Sequence, residues 1–379
     1  MKHTFESPLG SYVLSRYPAQ GNETLRAWDA ADELALQQFV ELGGDAYQGR
    51  ILILNDGFGA LSVALAAHQP VMCSDSYLAQ QGSLVNLQQN QIDPQQLTLL
   101  NSMQSPEGQF DLVFIKLPKS QAMLEHQLHT LRPHLHKDSV IIGAAMTKAI
   151  HTNTLKLFER IIGPTKTSLA KKKARLIFSQ FDDKLQPGNS PYPQSYTLEV
   201  AGKDYNISNH ANLFSRESLD IGTRFLLQHM PQNEFRTIVD LGCGNGVVGL
   251  ISAIQHPDAE LVFVDESYMA VASAEQNFTA AFGDTRQARF VVGDSLSAEP
   301  SESVDLVLNN PPFHQQHVIG DQVAWQMFND AKRVLKQHGE LWVIGNRHLN
   351  YHAKLTHLFG NCQTMASNHK FVILKVKKR

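Results

Sequence analysis

Short unbroken apolar runs alternate with stretches of helical period through the second half of the chain. Thr237–Asp240 reads as a buried strand ending in a glycine-rich turn, and Val247–Gln255 as the helix that follows it, stopped at His256-Pro257. Glu260–Asp265 is a second strand and Met269–Phe282 a second helix, while Phe290–Asp294 and Val304–Asn309 are further strands. Val323–Lys336 has an amphipathic helical pattern that assigns Trp325 and Met327 to the core, and Gly339–Ile344 is a fifth strand. Strands apolar on both faces, set between helices, belong to a mostly parallel sheet covered on both sides. Phe371–Val376 follows Ser367-Asn368-His369 too closely for a helical crossover, so it should pair antiparallel with Cys362–Ala366.

The first half repeats this order more weakly. Arg50–Gly59 parallels the first strand and its turn, Leu61–His68 the helix, and Pro70–Asp75 the second strand with its terminal acid. Phe110–Pro118 parallels the fourth strand and Ser139–Gly143 the fifth. Self-similarity over so long a period indicates a duplication, two tandem Rossmann-like α/β domains. Between them Asp182–Pro193 carries three prolines and a glycine, which disfavour helix and central strand alike. The expected division is therefore a first domain at 1–182, a proline-rich linker at 183–196 and a second domain at 197–379.

Composition narrows the class without naming it. At 42% hydrophobic and 18% charged residues, the chain is neither disordered nor fibrous. It shows no secretory h-region and no apolar run of membrane-spanning length, and its three cysteines, Cys73, Cys243 and Cys362, form no CxxC pair. A cytoplasmic setting is the expectation. A net charge of −3 restricts any nucleic-acid surface to local basic patches.

Asp240-Leu241-Gly242-Cys243-Gly244-Asn245-Gly246 lets the backbone turn tightly between strand and helix and lets a ligand approach closely. It overlaps Gly244-Asn245-Gly246-Val247-Val248-Gly249, a formal dinucleotide fingerprint, which leaves NAD and S-adenosyl-L-methionine both open. The acid before the glycines favours the latter: Asp240 can meet the ammonium of a methionine moiety and would repel a pyrophosphate. Asp265 suits a ribose diol, common to both cofactors, and Asp294 is placed to accept from an adenine amino group. Each of those two reads equally well alone as a helix cap or turn residue.

Asn310-Pro311-Pro312-Phe313 directly follows the fourth strand, at the carboxyl end where such sheets bind ligands. A planar amine is a poor nucleophile because its lone pair is delocalised. Accepting its two hydrogens, on the Asn310 side-chain oxygen and the Pro311 carbonyl, turns that lone pair towards a methyl donor for in-line displacement. Two prolines hold the carbonyl in an extended conformation, and Phe313 offers a face on which a flipped-out base can stack.

These two motifs resemble those of the rRNA guanine-N2 methyltransferases. Trp28–Glu33, His210–Arg216 and Asn310–His317 extend the resemblance over essentially the whole chain, closest to the large-subunit members and next to the small-subunit members. The resemblance implies transfer of a methyl group from S-adenosyl-L-methionine to N2 of a guanine in 23S rRNA, as naked RNA or within a large-subunit assembly intermediate. By the same resemblance Asp240, Gly242, Gly244, Gly246, Asp265, Asp294 and Asn310 line the cofactor site. Asn310, Pro311, Pro312 and Phe313 hold the acceptor, and Phe214, Ser215 and Arg216 close over one or both. A 16S rRNA target is the alternative. A protein glutamine methyltransferase is a further one, against which Phe313 in place of the commoner Tyr counts mildly; so is a noncatalytic RNA-binding protein, against which the intact Asp240 motif counts.

The first half departs from this pattern: its turn reads Gly57-Phe58-Gly59, and the acceptor motif is replaced by Lys116-Leu117-Pro118-Lys119. That half is expected to be a degenerate copy without catalysis, whose Lys116 and Lys119 contact RNA phosphates. Lys166, Lys171, Lys172, Lys173 and Arg175 form the strongest basic cluster, and its triplet Lys171, Lys172 and Lys173 is assigned to the same surface. His314 and His317 lack the further ligands a metal needs, so His314 is assigned to substrate contact and no metal is expected.

Overall fold

The structure is a computed structural model that describes residues 3–19, 24–312 and 317–379. Its contacts divide the chain into two units, Met1–Tyr192 and Pro193–Arg379. The division falls inside the expected linker, whose last residues, from Gln194, already belong to a strand.

In the first unit a hairpin of β1 (His3–Ser7) and β2 (Gly10–Leu14) leads into α1 (Ala30–Glu41). There follow β3 (Ile51–Leu54), α2 (Ala60–Ala64), β4 (Val71–Ser74), α3 (Tyr77–Gln89), β5 (Thr98–Asn101), β6 (Leu112–Lys116) and α4 (Gln121–Leu131). The unit closes with β7 (Val140–Met146), α5 (Thr152–Ile161), β8 (Thr165–Thr167) and β9 (Ala174–Gln180). Its sheet runs β5-β4-β3-β6-β7-β9-β8, parallel from β5 to β7 and antiparallel thereafter. Successive residues of β3 point to opposite faces: Ile51 and Ile53 pack with α1, α2 and α3, and Leu52 and Leu54 pack with α4 and α5.

The second unit has the same plan. A hairpin of β10 (Gln194–Val200) and β11 (Lys203–Asn209) precedes α6 (Ile221–Leu227). Then come β12 (Thr237–Leu241), α7 (Val247–Gln255), β13 (Glu260–Asp265), α8 (Tyr268–Phe282), β14 (Ala288–Val292) and β15 (Val304–Asn309). Last are α9 (His317–Val334), β16 (Leu335–Asn346), α10 (Tyr351–Phe359), β17 (Gln363–Ser367) and β18 (Phe371–Lys377). The order β14-β13-β12-β15-β16-β18-β17 repeats that of the first sheet. β18 pairs antiparallel with both β17 and β16, as the short turn before it requires. Met327 is buried in the core, whereas Trp325 is 36% exposed and lies against His357, a correction to its assignment as a core residue.

The duplication extends to single hydrogen bonds. Asn277 on α8 takes the backbone N–H and donates to the backbone C=O of Ser208, and also donates to Asn245 O in the glycine turn. Asn86 on α3 does the same with Ser15 and with Phe58 O. One amide in each unit thus docks the hairpin onto the turn after the first strand, burying backbone groups with their partners made.

One parallel needs correcting. Ser76 and Ser267 cap α3 and α8, which sets Asp75 opposite Glu266 and Ser74 opposite Asp265. The acid at the end of the second strand is not matched in the first unit.

Candidate active site

Parallel strands bring the sequence-predicted residues to one edge. Leu241 pairs with Val264 on β13 and with Asn309 on β15, and Asp265 pairs with Val292 on β14. The chain then leaves four neighbouring strands through the glycine turn, Asp265, Asp294 and Asn310. The amides of Gly242 and Cys243 both donate to Val264 O, and the Gly244 amide donates to Asp265 Oδ2 at 3.0 Å. Gly246 caps α7 with φ 77°; a Cβ there would lie 2.7 Å from Ala274, so the close approach of α8 demands glycine. At Gly244, by contrast, φ is 53° and a Cβ would meet nothing within 4 Å, so this glycine faces the open side of the turn.

Asp240 is buried, and its Oδ2 accepts from the Gly249 amide at 2.8 Å, which anchors the first turn of α7. Burial, with a smaller push from Asp265, raises its carboxyl to about 8. Such a group takes a cationic partner readily, because ionisation without one is unfavourable. Asp265 Oδ1 accepts from the Ser267 amide at 3.0 Å, so it supports the turn as well as facing it. Asp294 is half-buried, which raises its pKa, and its Oδ1 accepts from Gln326 Nε2 at 2.7 Å.

Asn310 donates through Nδ2 to Thr223 Oγ1 on α6 at 3.2 Å, while its Oδ1 is buried with no partner among the described residues. Asn309, fully buried beside it, has neither amide atom satisfied among those residues. Orphaned buried amides are uncommon in a folded interior, and here they cluster at the strand end beside the glycine turn. A Cβ on Gly242 would lie 3.8 Å from Asn310 O, which puts the two motifs in contact. Pro311 is buried and Pro312 exposed. Phe313 and His314 lie outside the described residues.

The loop before α6 gives two assigned residues different surroundings. Phe214 is 81% exposed at its tip. Arg216 donates its guanidinium to Ala211 O and Leu213 O, so it closes the loop on itself. Asn245 donates to Asn209 Oδ1 at 2.9 Å and to Tyr196 Oη at 3.3 Å, tying the glycine turn to the hairpin. Sequence reasoning missed Asn209, Asn277, Thr223 and Asp220. The last had a legible signal, an acidic helix cap three residues before a hydroxyl.

The first unit fills the same corner differently. Leu54 pairs with Ile115 as Leu241 pairs with Asn309, so Lys116 stands at the station of Asn310. Counting back from the caps Gly59 and Gly246 sets Asn55, with φ 64°, at the station of Gly242, and Ile53 at that of Asp240. Lys116 does not meet the expectation of a phosphate-gripping side chain. It is 15% exposed, and its Nζ lies 2.6 Å from Asp32 Oδ1 and 3.2 Å from Asp29 Oδ1. Burial pushes Asp32 up to about 6 in spite of that lysine. Lys119 is exposed. Lys172 and Lys173, with φ 50° and 62°, form the two-residue tip of a turn closed by Lys171 and Ala174. All three lysines are exposed; Lys172 pairs with Glu33 at 2.7 Å and Lys171 donates to Gln37 at 2.7 Å.

Among the described residues no helix is long and apolar enough to cross a membrane. Residues 2–183 match the family described as RLMG N-terminal domain, and residues 204–375 the family described as methyltransferase small domain. A protein of Streptomyces avermitilis called ribosomal RNA large subunit methyltransferase G is 48% identical, covering 100% of both chains. Its namesake in Yersinia enterocolitica is 50% identical over 97% of this chain and 92% of its own. The fold is similar to that of T. thermophilus 16S rRNA N2 methyltransferase in complex with AdoMet and guanosine, with TM-score 0.77, 21% identity and coverage of 100% and 98%.

Proposed function

This chain belongs to the ribosomal RNA large subunit methyltransferase G family, and from that membership we propose that its second unit transfers a methyl group from S-adenosyl-L-methionine to the exocyclic N2 of a guanine in 23S rRNA. The observation that carries the reading is the buried Oδ1 of Asn310 at the carboxyl end of β15, which has no partner among the described residues. An acceptor with no donor beside a glycine turn suits a planar amine that brings its own hydrogens.

The residues present fit the cofactor. The open face at Gly244 admits a ligand against the backbone, Asp240 offers a buried acid to an ammonium, Asp265 accepts from the turn, and Asp294 follows β14 two strands away. The cofactor supplies a methyl group on a positively charged sulfur. The chain's own part is to bind and orient: Asn310 Oδ1 and the Pro311 carbonyl accept the two N2 hydrogens and direct the nitrogen lone pair towards the methyl donor. Pro312 restrains Pro311, and Phe313 stacks on the base.

The first unit, in this reading, is a degenerate copy, and Lys119 and the Lys171–Lys173 tip contribute to RNA contact. Lys173 carries most of that tip's share, since its two neighbours already have partners in the fold. Full-length protein incubated with labelled cofactor and either rRNA, ribosomal subunits or protein tests the assignment. Label in large-subunit RNA, lost with Asn310→Ala, is the expected result. Label confined to small-subunit RNA or to protein rejects it.

A further inference from the structure

We propose that Thr223 and Asp220 are positioning residues that fix which way round the Asn310 amide sits, and so create the acceptor the reaction needs. The proposal rests on the reading of Asn310 given above.

An asparagine amide has nearly the same shape in either orientation, so its hydrogen bonds decide which end points where. Asp220 caps α6, and a carboxylate can only accept. Its Oδ2 lies 2.9 Å from the Thr223 amide and 3.4 Å from Thr223 Oγ1. With its proton directed at Asp220, the hydroxyl has only lone pairs left for Asn310. It must then receive the Asn310 NH2 group, 3.2 Å away, and Oδ1 is left facing the other way, buried and without a partner among the described residues. A reversed amide would set an NH2 against the guanine NH2, donor against donor. The acceptor polarity of the site is thus set by an acid two hydrogen bonds away.

The first unit supports this placement. Asp29 caps α1 as Asp220 caps α6, and Asp32, third in that helix, stands where Thr223 stands. There the helix station again reaches the end of the fourth strand, but as an ion pair to Lys116 at 2.6 Å. At the station of Asn310, Lys116 carries no side-chain oxygen to accept a hydrogen.

Thr223→Val removes the hydroxyl at nearly constant shape and keeps the backbone bond that caps α6. Steady-state methyl transfer to large-subunit rRNA by the full-length variant should show kcat lowered roughly 10- to 100-fold, with KM for cofactor and RNA within about twofold of wild type. Thr223→Ser should recover to within about threefold. In an Asn310→Ala background Thr223→Val should cost nothing further, because the group it orients is gone. Wild-type kcat in Thr223→Val overturns the proposal, and so does an equal loss in both backgrounds with a lowered melting temperature. If wild type itself transfers no methyl to guanine N2, the functional reading falls and the relay with it. If Asn310→Ala is inactive and Thr223→Val is not, the relay alone falls.

Discussion

Asn86 and Asn277 do the same work in the two units, and Lys116 and Asn310 do opposite work from matching stations. The first pair holds a hairpin to a turn, which any copy of the fold must do. The second pair decides what the corner of the sheet can bind. In one unit the strand end is closed by a lysine between two carboxylates; in the other it holds an amide oxygen with no donor among the described residues. Duplication preserved the sheet order and the amide that docks the hairpin, while a few side chains at the strand ends changed the chemistry. Fold similarity alone would have assigned both units the same role.

The contrast can be broken most sharply at the stations themselves. Asn310→Ala should lower kcat roughly 100- to 1,000-fold while cofactor affinity, measured by calorimetry, stays within about twofold. Lys116→Met should leave cofactor affinity unchanged and destabilise the chain by about 3 kcal/mol, since it strands the buried Asp32; thermal melting reads this directly. An equal effect of both variants on catalysis would end the division of labour argued here.

Shared scaffold makes a matched prediction. A Cβ at Gly59 would lie 2.7 Å from Ser83 backbone, and one at Gly246 lies 2.7 Å from Ala274. Gly59→Ala and Gly246→Ala should each cost about 2 kcal/mol in denaturant titration, in similar measure. A tolerant Gly59 would mean that the first turn has relaxed after losing its ligand.

The acids separate the units by pH. Burial raises the folded-state pKa of Asp240 to about 8, far above its unfolded value near 3.9. The folded, cofactor-free chain then holds a proton that the unfolded chain releases, so stability falls as pH rises from about 4 to 8, by at most about 1.4 kcal/mol per pH unit. Asp32, raised to about 6, acts with the same sign but only up to that pH. Asp240→Asn should flatten the stability profile between about pH 6 and 8, and Asp32→Asn should leave that range unchanged. Smallest of all, Lys173→Ala should lower the salt slope of RNA binding by about one unit. An unchanged slope removes the tip from the RNA surface.

Much of the fold was legible in the residues alone. Strands such as Ile51–Leu54 and Glu260–Asp265 are buried among helices on both sides, and an unbroken apolar run is the direct signature of that burial. The β10–β11 hairpin was not read from the sequence: β10 begins one residue after Pro193, and its apolar positions Tyr196, Leu198 and Val200 are only half-buried where they pack with Ile207. Thr223 lies 87 residues from Asn310 in sequence, so only the register of β12 on β15 and the docking of α6 disclose their bond. Lys116 misled for the same reason. A lysine at a vacated catalytic station reads as a free charge until α1 is seen to deliver Asp29 and Asp32 to it. Terminal acids were misaligned by one residue because a strand's last position is set by the helix cap beyond it, not by residue type.

The most direct test of the central claim is mass-spectrometric mapping of N2-methylguanine in rRNA from a strain lacking this protein, complemented with wild type, Asn310→Ala or Lys116→Met. The account predicts one N2-methylguanine missing from 23S rRNA, restored by wild type and by any folded Lys116→Met protein, and not by Asn310→Ala. Restoration by Asn310→Ala, or a missing mark in 16S rRNA instead, would contradict it.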